Sequence, residues 1–322
     1  MPSPDARSDA RSEPSPARPH LVWLALLAVA VAELVGHFVV RARVAPTDDW
    51  VRAAELVRSE WREGDLVVAA PEWTDPVLRM VLGDRIPLAS AGRPDLAGFR
   101  RLWALSTRGH RPAEAPAGAP ELEREIGAVR VLRWRLDEER VLYDFVEHIA
   151  GARVSRVENG AELPCRWQSF GRATGGALGA GPITPAERWV CDPRRPWLWV
   201  GATVNEDLDL RPRRCVWQHP QGAEPIRASF EDVPLGERLV LYADLYYEHE
   251  RDRTHAPFDV VVRIDGEEVG RMLHVDGDGW KRIEAAPPEG RERGTVAIEV
   301  SAEQPDLRSV CWAASTRAGG PE

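Results

Sequence analysis

Apolar residues run along this chain in three different rhythms. The first is unbroken: Leu21–Val40, LVWLALLAVAVAELVGHFVV. Twenty residues at about 1.5 Å each give roughly 30 Å, the hydrocarbon thickness of a bilayer, so the run predicts a transmembrane helix over 20–41. Trp23 sits near one end, where an amphipathic ring prefers the interface, and Arg41 and Arg43 close the other. Glu33 and His37 interrupt the run at i,i+4 on one face and, in its outer third, can reach the headgroups. The run exceeds the apolar core of a cleavable signal peptide, about 7–15 residues, which favours a retained signal-anchor. Residues 1–19 are Pro, Ser, Ala, Arg and Asp without apolar periodicity and predict a disordered cytoplasmic tail.

The second rhythm, over about 44–160, mixes two periods. Trp50, Ala53, Ala54, Val57 and Trp61 recur every three to four residues behind Asp48 and Asp49, predicting an amphipathic helix. Leu66–Ala70 is a short apolar run before Pro71, hence a buried strand, and Asp75–Leu82 reads as a helix stopped by Gly83. Ile86–Leu88, Arg101–Leu105 and Arg153–Val157 read as further strands, and Glu121–Ile126 and Glu138–Ala150 as helices. The alternation predicts a small α/β domain.

From 182 to 318 the rhythm is alternation. Leu239, Leu241, Ala243 and Leu245, then Phe258, Val260, Val262 and Ile264, have the period of half-buried strands. Ten such segments begin at Trp189, Trp197, Cys215, Ile226, Arg238, Phe258, Glu268, Trp280, Val296 and Ser309, with Asp265-Gly266 as a hairpin turn. They predict an all-β sandwich of jelly-roll type. Residues 161–181, Gly-rich at 175–181, read as the linker before it. The fold expected is therefore one N-terminal transmembrane helix, a small α/β domain, then the sandwich.

The four cysteines, Cys165, Cys191, Cys215 and Cys311, all follow the membrane segment and are even in number, which predicts two disulfides. Three connectivities exist; the short loop favours Cys191–Cys215, leaving Cys165–Cys311 to tie first strand to last. No C-x₂-C knuckle supports zinc. Disulfides require an oxidising compartment, so the C-terminal domains are expected outside the cytoplasm, periplasmic, with the chain crossing the plasma (inner) membrane once. The net charge is −9, with residues 1–43 at +1, so the acidic body disfavours nucleic acid.

Residues 44–160 contain a helix opened by Asp49-Trp50, then GDLVV, "APEWTDPVLRMVLGDRIP" and "RRLWALSTRG". In that order they resemble the soluble C-terminal region of multi-pass bacterial glycosyltransferases of the mannosyltransferase-like, polyprenyl-phosphate-sugar-dependent kind. The resemblance implies an α/β fold, an extracytoplasmic location and a link to envelope glycans. It does not imply transferase activity, because one helix cannot build a donor cavity, and Asp48 or Asp49 serves as a helix cap.

No nucleophile elbow, Walker loop or dinucleotide fingerprint occurs, and no catalytic residue is assigned. The sandwich resembles a carbohydrate-binding module, with seven of the thirteen Trp falling in its region. Trp280 beside Gly277–Gly279, and Trp197 and Trp199, which a strand would place on one face, are candidate sugar platforms, with Tyr247 and His249 from the polar stretch 246–255. Asp276 and Asp278 are candidate calcium ligands; no other cofactor is expected. The function expected is glycan or envelope-partner binding at the membrane surface. The alternatives are an accessory subunit of a membrane glycosyltransferase and a degenerate hydrolase using His249.

Overall fold

The computed structural model describes residues 19–42, 44–137, 139–176 and 182–319. The expected tail and most of the Gly-rich stretch, 177–181, lie outside them. Helix α1, Pro19–Ala42, is mostly apolar, interrupted by Glu33 and His37, and is long enough to cross a membrane. A four-residue link leads to α2, Thr47–Glu60.

Four strands form the first sheet, β1 Asp65–Ala70, β2 Arg101–Thr107, β3 Leu122–Ile126 and β4 Val129–Arg135, in the order β1-β2-β4-β3. β1 and β2 are parallel and the other pairs antiparallel. Helices α2 and α3, Asp75–Leu82, cover one face, packing Trp50, Ala53, Val57, Leu78 and Leu82 on Val67, Ala69, Trp103 and Leu105. The other face, Leu66, Val68, Leu102 and Trp134, is covered by Leu96, Phe99 and Ala115. Covering on both faces is why β1 is a continuous apolar run rather than an alternating one.

Two expected helices are strands. Glu121–Ile126 becomes β3 because the chain turns at Gly127 (φ 61°) and pairs back on β4; a charged edge strand tolerates this Glu- and Arg-rich segment. Within 138–150, β5, Arg140–Asp144, pairs with the last strand of the protein, and the Asp144 carboxylate then accepts the N–H groups of Val146 and Glu147. Tertiary pairing overrides helix propensity in both. The strand expected at 86–88 is instead Ile86-Pro87 leading into a single helical turn, α4, Leu88–Ala91.

The remaining strands are β6 Arg153–Glu158, β7 Ala161–Pro164, β8 Arg166–Ser169, β9 Glu187–Val190, β10 Trp199–Glu206, β11 Pro212–Gln218, β12 Ile226–Pro234, β13 Arg238–Leu245, β14 Phe258–Ile264, β15 Glu267–His274, β16 Lys281–Ala285, β17 Arg293–Ser301 and β18 Val310–Ala318; a turn of helix, α5, Tyr247–Glu250, follows β13. Their eight-strand core has a jelly-roll order, β16-β13-β18-β11 facing β15-β14-β17-β12. Strands β10, β9 and β8 extend the sheet of β11, and β6 and β7 that of β12, so the sandwich begins with β5 and the stretch expected as a linker carries β7 and β8. Inward residues such as Leu239, Leu241, Phe258, Val260, Ile298 and Trp312 make one core.

The small α/β unit is fastened to the outer face of the first sandwich sheet by four consecutive residues. Gly92 O accepts Arg214 N–H (2.7 Å), Arg93 O accepts Arg213 Nη1 (3.0 Å), and Pro94 O accepts Trp280 Nε1 (3.2 Å). Asp95 accepts Tyr242 OH and faces Arg317 Nη1, each at 2.8 Å. A Cβ on Gly92 would stand 2.8 Å from the Arg214 nitrogen, so the approach needs glycine.

The disulfides are Cys165–Cys191 and Cys215–Cys311, not the pairing that loop length favoured. The sheet order explains why. β9, ending before Cys191, is separated from β11 by β10, roughly 10 Å at strand spacing, beyond disulfide reach. Cys165 and Cys191 instead flank the paired residues Arg166 and Val190, and Cys215 lies diagonally across from Cys311 on the paired strands β11 and β18. In the chain-entropy account, opening the bridge spanning 96 residues costs about 4–5 kcal/mol and the one spanning 26 about 3.5. Cys215→Ser/Cys311→Ser is therefore expected to lower the denaturant midpoint more than Cys165→Ser/Cys191→Ser; the reverse order in urea titrations would contradict this.

Candidate functional site

Antiparallel pairing gathers four connections at one end of the sandwich: 219–225 after β11, 246–257 after β13, 275–280 after β15 and 302–309 after β17. A dense polar network holds them together. Arg308, with no exposed surface, donates from Nη1 to Asp276 Oδ1 (2.6 Å) and to Ala256 O (3.1 Å). Asp276 Oδ2 takes the His255 backbone N–H (3.0 Å) and stands 3.2 Å from His255 Nδ1. Burial raises the Asp276 pKa, but the bonds from Arg308 and His255 outweigh it and hold the carboxyl below its ordinary value. It is therefore a carboxylate paired with a buried guanidinium.

His249 Nδ1 lies 2.8 Å from Ser309 Oγ, and its ring meets Tyr246 edge-on. Burial, then Arg308, lowers its pKa, so the imidazole is neutral at pH 7. Glu250, fully buried, accepts Gly279 N–H (2.6 Å) with Oε1; Oε2 has no partner among the described residues, and burial raises its pKa. His274, stacked on Phe258, donates from Nε2 to Gly279 O (3.0 Å). The network fixes the loops, and its outer members form a rim. Tyr247, half-buried, donates to Glu248 Oε1 (3.1 Å) and lies under the Arg251 guanidinium. On the same rim a recess of about 450 Å³ opens between residues 254–256 and 303–306.

The sequence candidates are thus dispersed. Tyr247 and His249 share the rim. Trp280 is half-buried between the two units, stacked on Tyr242 (5.6 Å, 6°) beneath Arg213. Trp197 and Trp199 part company: Trp197 lies in the turn before β10 and is 51% exposed, whereas Trp199 is buried against Trp217. Period 2 fails because β10 starts only at Trp199. Trp197 is three strands along the sheet from β13, roughly 14 Å at strand spacing. Asp276 is committed to Arg308 and His255, and Asp278 accepts Val275 N–H and Lys281 Nζ (2.7 Å), so the two carboxylates do not converge. Among the described residues no three His, Cys, Asp or Glu side chains are grouped to hold a metal ion.

Sequence reading passed over Arg308 and Ser309, which carry no motif, and a second cavity. A cleft of about 300 Å³ lies between Ser90–Ala97 and the sandwich, lined by Asp144, Arg214 and Arg317 among others. Nearby, the β10–β11 hairpin leaves β18 after Val216, where β5 takes the free edge, and its tip folds over the outer face. There Asp244 is wholly buried, both carboxyl oxygens without a partner among the described residues.

No protein-family profile matches this chain, and no curated protein does. Among solved structures the chain is similar to a second family-51 carbohydrate-binding module with INT domains from Clostridium perfringens ZmpB, in complex with GlcNAc. That similarity has 12% identity over 56% of this chain and 40% of the other, TM-score 0.29. A family-51 module from Clostridium perfringens GH95, in complex with methyl-galactose, gives 11% over 51% and 80%, TM-score 0.24. A family 16 carbohydrate-binding module-2 gives 10% over 39% and 86%, TM-score 0.22. The chain spans about two fifths of the first of these. Similarity at this level does not bear on function.

Asp244 yields a pH prediction. Burial, then the charges of Glu250 and Asp207, push its pKa well above the ordinary carboxylate value. The folded state therefore binds a proton that the unfolded state releases, and this contribution is complete at low pH and lost as pH rises from about 4. Asp244→Asn, neutral at every pH, is expected to melt higher than the parent at pH 8, with the gap closing toward pH 4. A gap independent of pH in thermal melts would refute the assignment.

Proposed function

We propose that this chain is a binding protein held at the plasma membrane by α1, with its folded part outside the cytoplasm, whose sandwich rim recognises a glycan of the cell envelope. Two disulfides fit an oxidising compartment, and α1 has the length and composition of a span.

The observation that carries the glycan reading is the rim itself. A half-exposed tyrosine ring, Tyr247, lies beside Glu248, Arg251 and neutral His249 over loops held rigid by Arg308–Asp276. A sugar has apolar C–H faces for an aromatic ring and hydroxyl pairs for planar polar side chains, and a preorganised rim limits the entropy lost on binding. Binding at the rim is favoured over catalysis because, of the carboxyls with raised pKa, Asp244 and Glu250 are sealed from solvent and Asp144 lies in the other cleft, accepting two backbone N–H groups. The resemblance of residues 44–160 to the soluble tails of envelope glycosyltransferases supports a glycan over a protein ligand.

The test is a glycan-array and envelope-polysaccharide binding screen with the detergent-solubilised full chain. Tyr247→Ala is expected to weaken binding at least about tenfold, equivalent to about 1.4 kcal/mol. Loss in Trp197→Ala alone would move the site to the β9–β10 turn. A folded protein that binds no glycan would sink the reading.

A further inference from the structure

The α/β unit has two ends, and α1 is tied to one of them. Asp49, in the first turn of α2, accepts Ala128 N–H (2.8 Å) in the β3–β4 turn. Val129 is paired with Thr107, and Ser106 with Ala70, so the start of α2 and the carboxyl ends of β1 and β2 lie together. At the other end Glu60 bonds Arg133 and Arg101, beside Asp65. Helix α2 therefore descends from the tethered end to the far one.

The tether is short. At 24 residues, α1 is about 36 Å long against a hydrocarbon core of roughly 30 Å, which puts its last residues among headgroups. Four residues then separate Ala42 from Thr47. Even fully extended they reach about 17 Å, so the start of α2, beside the near end of the sheet, stays within that distance of the headgroups.

That near end exposes several large apolar side chains, as the turn at Trp197, the strand at Leu273 and the loop at Leu307 do elsewhere on the body. Trp73, just beyond β1, is 65% exposed, and the exposed Arg108, just beyond β2, lies over its ring. Arg211 bonds Glu72, which brings the tip of the β10–β11 hairpin alongside with Leu210 63% exposed. Val44, in the link itself, is 59% exposed. His110 is exposed beside Arg108; of the acidic groups at this end Asp49 is paired with Arg52, Glu72 with Arg211 and Asp75 with Arg79, and Asp48, Glu125 and Asp209 are exposed. A tryptophan under a guanidinium with aliphatic neighbours is the composition of a membrane–water interface, where the ring sits at the headgroups and the cation meets phosphate.

We propose that this face, Trp73, Arg108 and Leu210, rests on the lipid surface of the membrane that α1 spans, fixing the height and tilt of the sandwich above it. The proposal rests on the reading of α1 as a span, and the test separates the two. The full chain is placed in nanodiscs of phosphatidylethanolamine and phosphatidylglycerol doped with a phospholipid carrying a diazirine at the glycerol level, irradiated, and mapped by peptide mass spectrometry. Label is expected on α1 and on peptides covering 71–75, 108–110 and 209–211, with several-fold less on 60–65 and 133–136 at the far end. Trp73→Ser with Leu210→Ser should cut label on 108–110 several-fold and leave α1 unchanged. Label on α1 without label on the three segments, or equal label at both ends, would overturn the proposal while the anchor stands. An unlabelled α1 would remove the anchor and the proposal together.

Discussion

Arg317, in the last strand, is only 2% exposed, and a guanidinium taken that far from water must meet carboxylates or lose several kcal/mol. Its Nε donates to Ser315 Oγ in its own strand, but its carboxylate partners come from outside the sandwich core strands. Asp95 arrives from the segment after α4, and Glu139 from the segment entering β5; Glu139 also pairs with Arg238. Without Asp95, Arg317 would keep only Glu139, which it shares with Arg238, so the charge balance of this outer face is completed by the α/β unit. Tyr242, Trp280 and Arg213 follow from that closure, each bonded to Asp95, Pro94 or Arg93. The two hydrophobic cores are separate, but the polar seam makes their arrangement specific.

The loop end of the sandwich uses buried charge differently. Arg308 Nη1 bonds Asp276 and Ala256 and so holds three connections in register, which gives Tyr247 and His249 a rigid frame. Asp244 and Glu250 are costly by contrast, since neither carboxyl is fully bonded among the described residues. Neutral acids are the economical state there, which ties the outer face to pH. The Arg308–Asp276 pair and the seam held by Arg317 fix the rim relative to the α/β unit.

Much of this architecture was legible along the chain. The twenty-residue apolar run, the helix behind Asp48-Asp49, the buried strand Leu66–Ala70 and the ten alternating segments after Trp189 all follow from local periodicity, because each element buries one face and its period records which. The misreadings share a cause. Glu121–Ile126 and Glu138–Ala150 have helical composition, yet each becomes a strand by pairing with a partner distant in sequence or across a Gly127 turn. Local propensity is worth tenths of a kcal/mol per residue, and a paired edge outweighs it.

The candidate site was legible only as a polar stretch. That Tyr247 and His249 belong to one rim depends on Ser309 and Arg308, about sixty residues away and unmarked by any motif. Trp280 looked exposed because its neighbours are turn residues, but the α/β unit covers it; Trp197 and Trp199 looked equivalent until the start of β10 separated them. The cysteines give the same lesson, since four in an even set announce two bridges but sheet order selects the partners. Periodicity and composition, being local, determined most of the elements and their buried faces. Which elements meet, which charges are satisfied and which aromatic rings remain at the surface were decided by the tertiary structure, because those depend on neighbours that the chain order does not reveal.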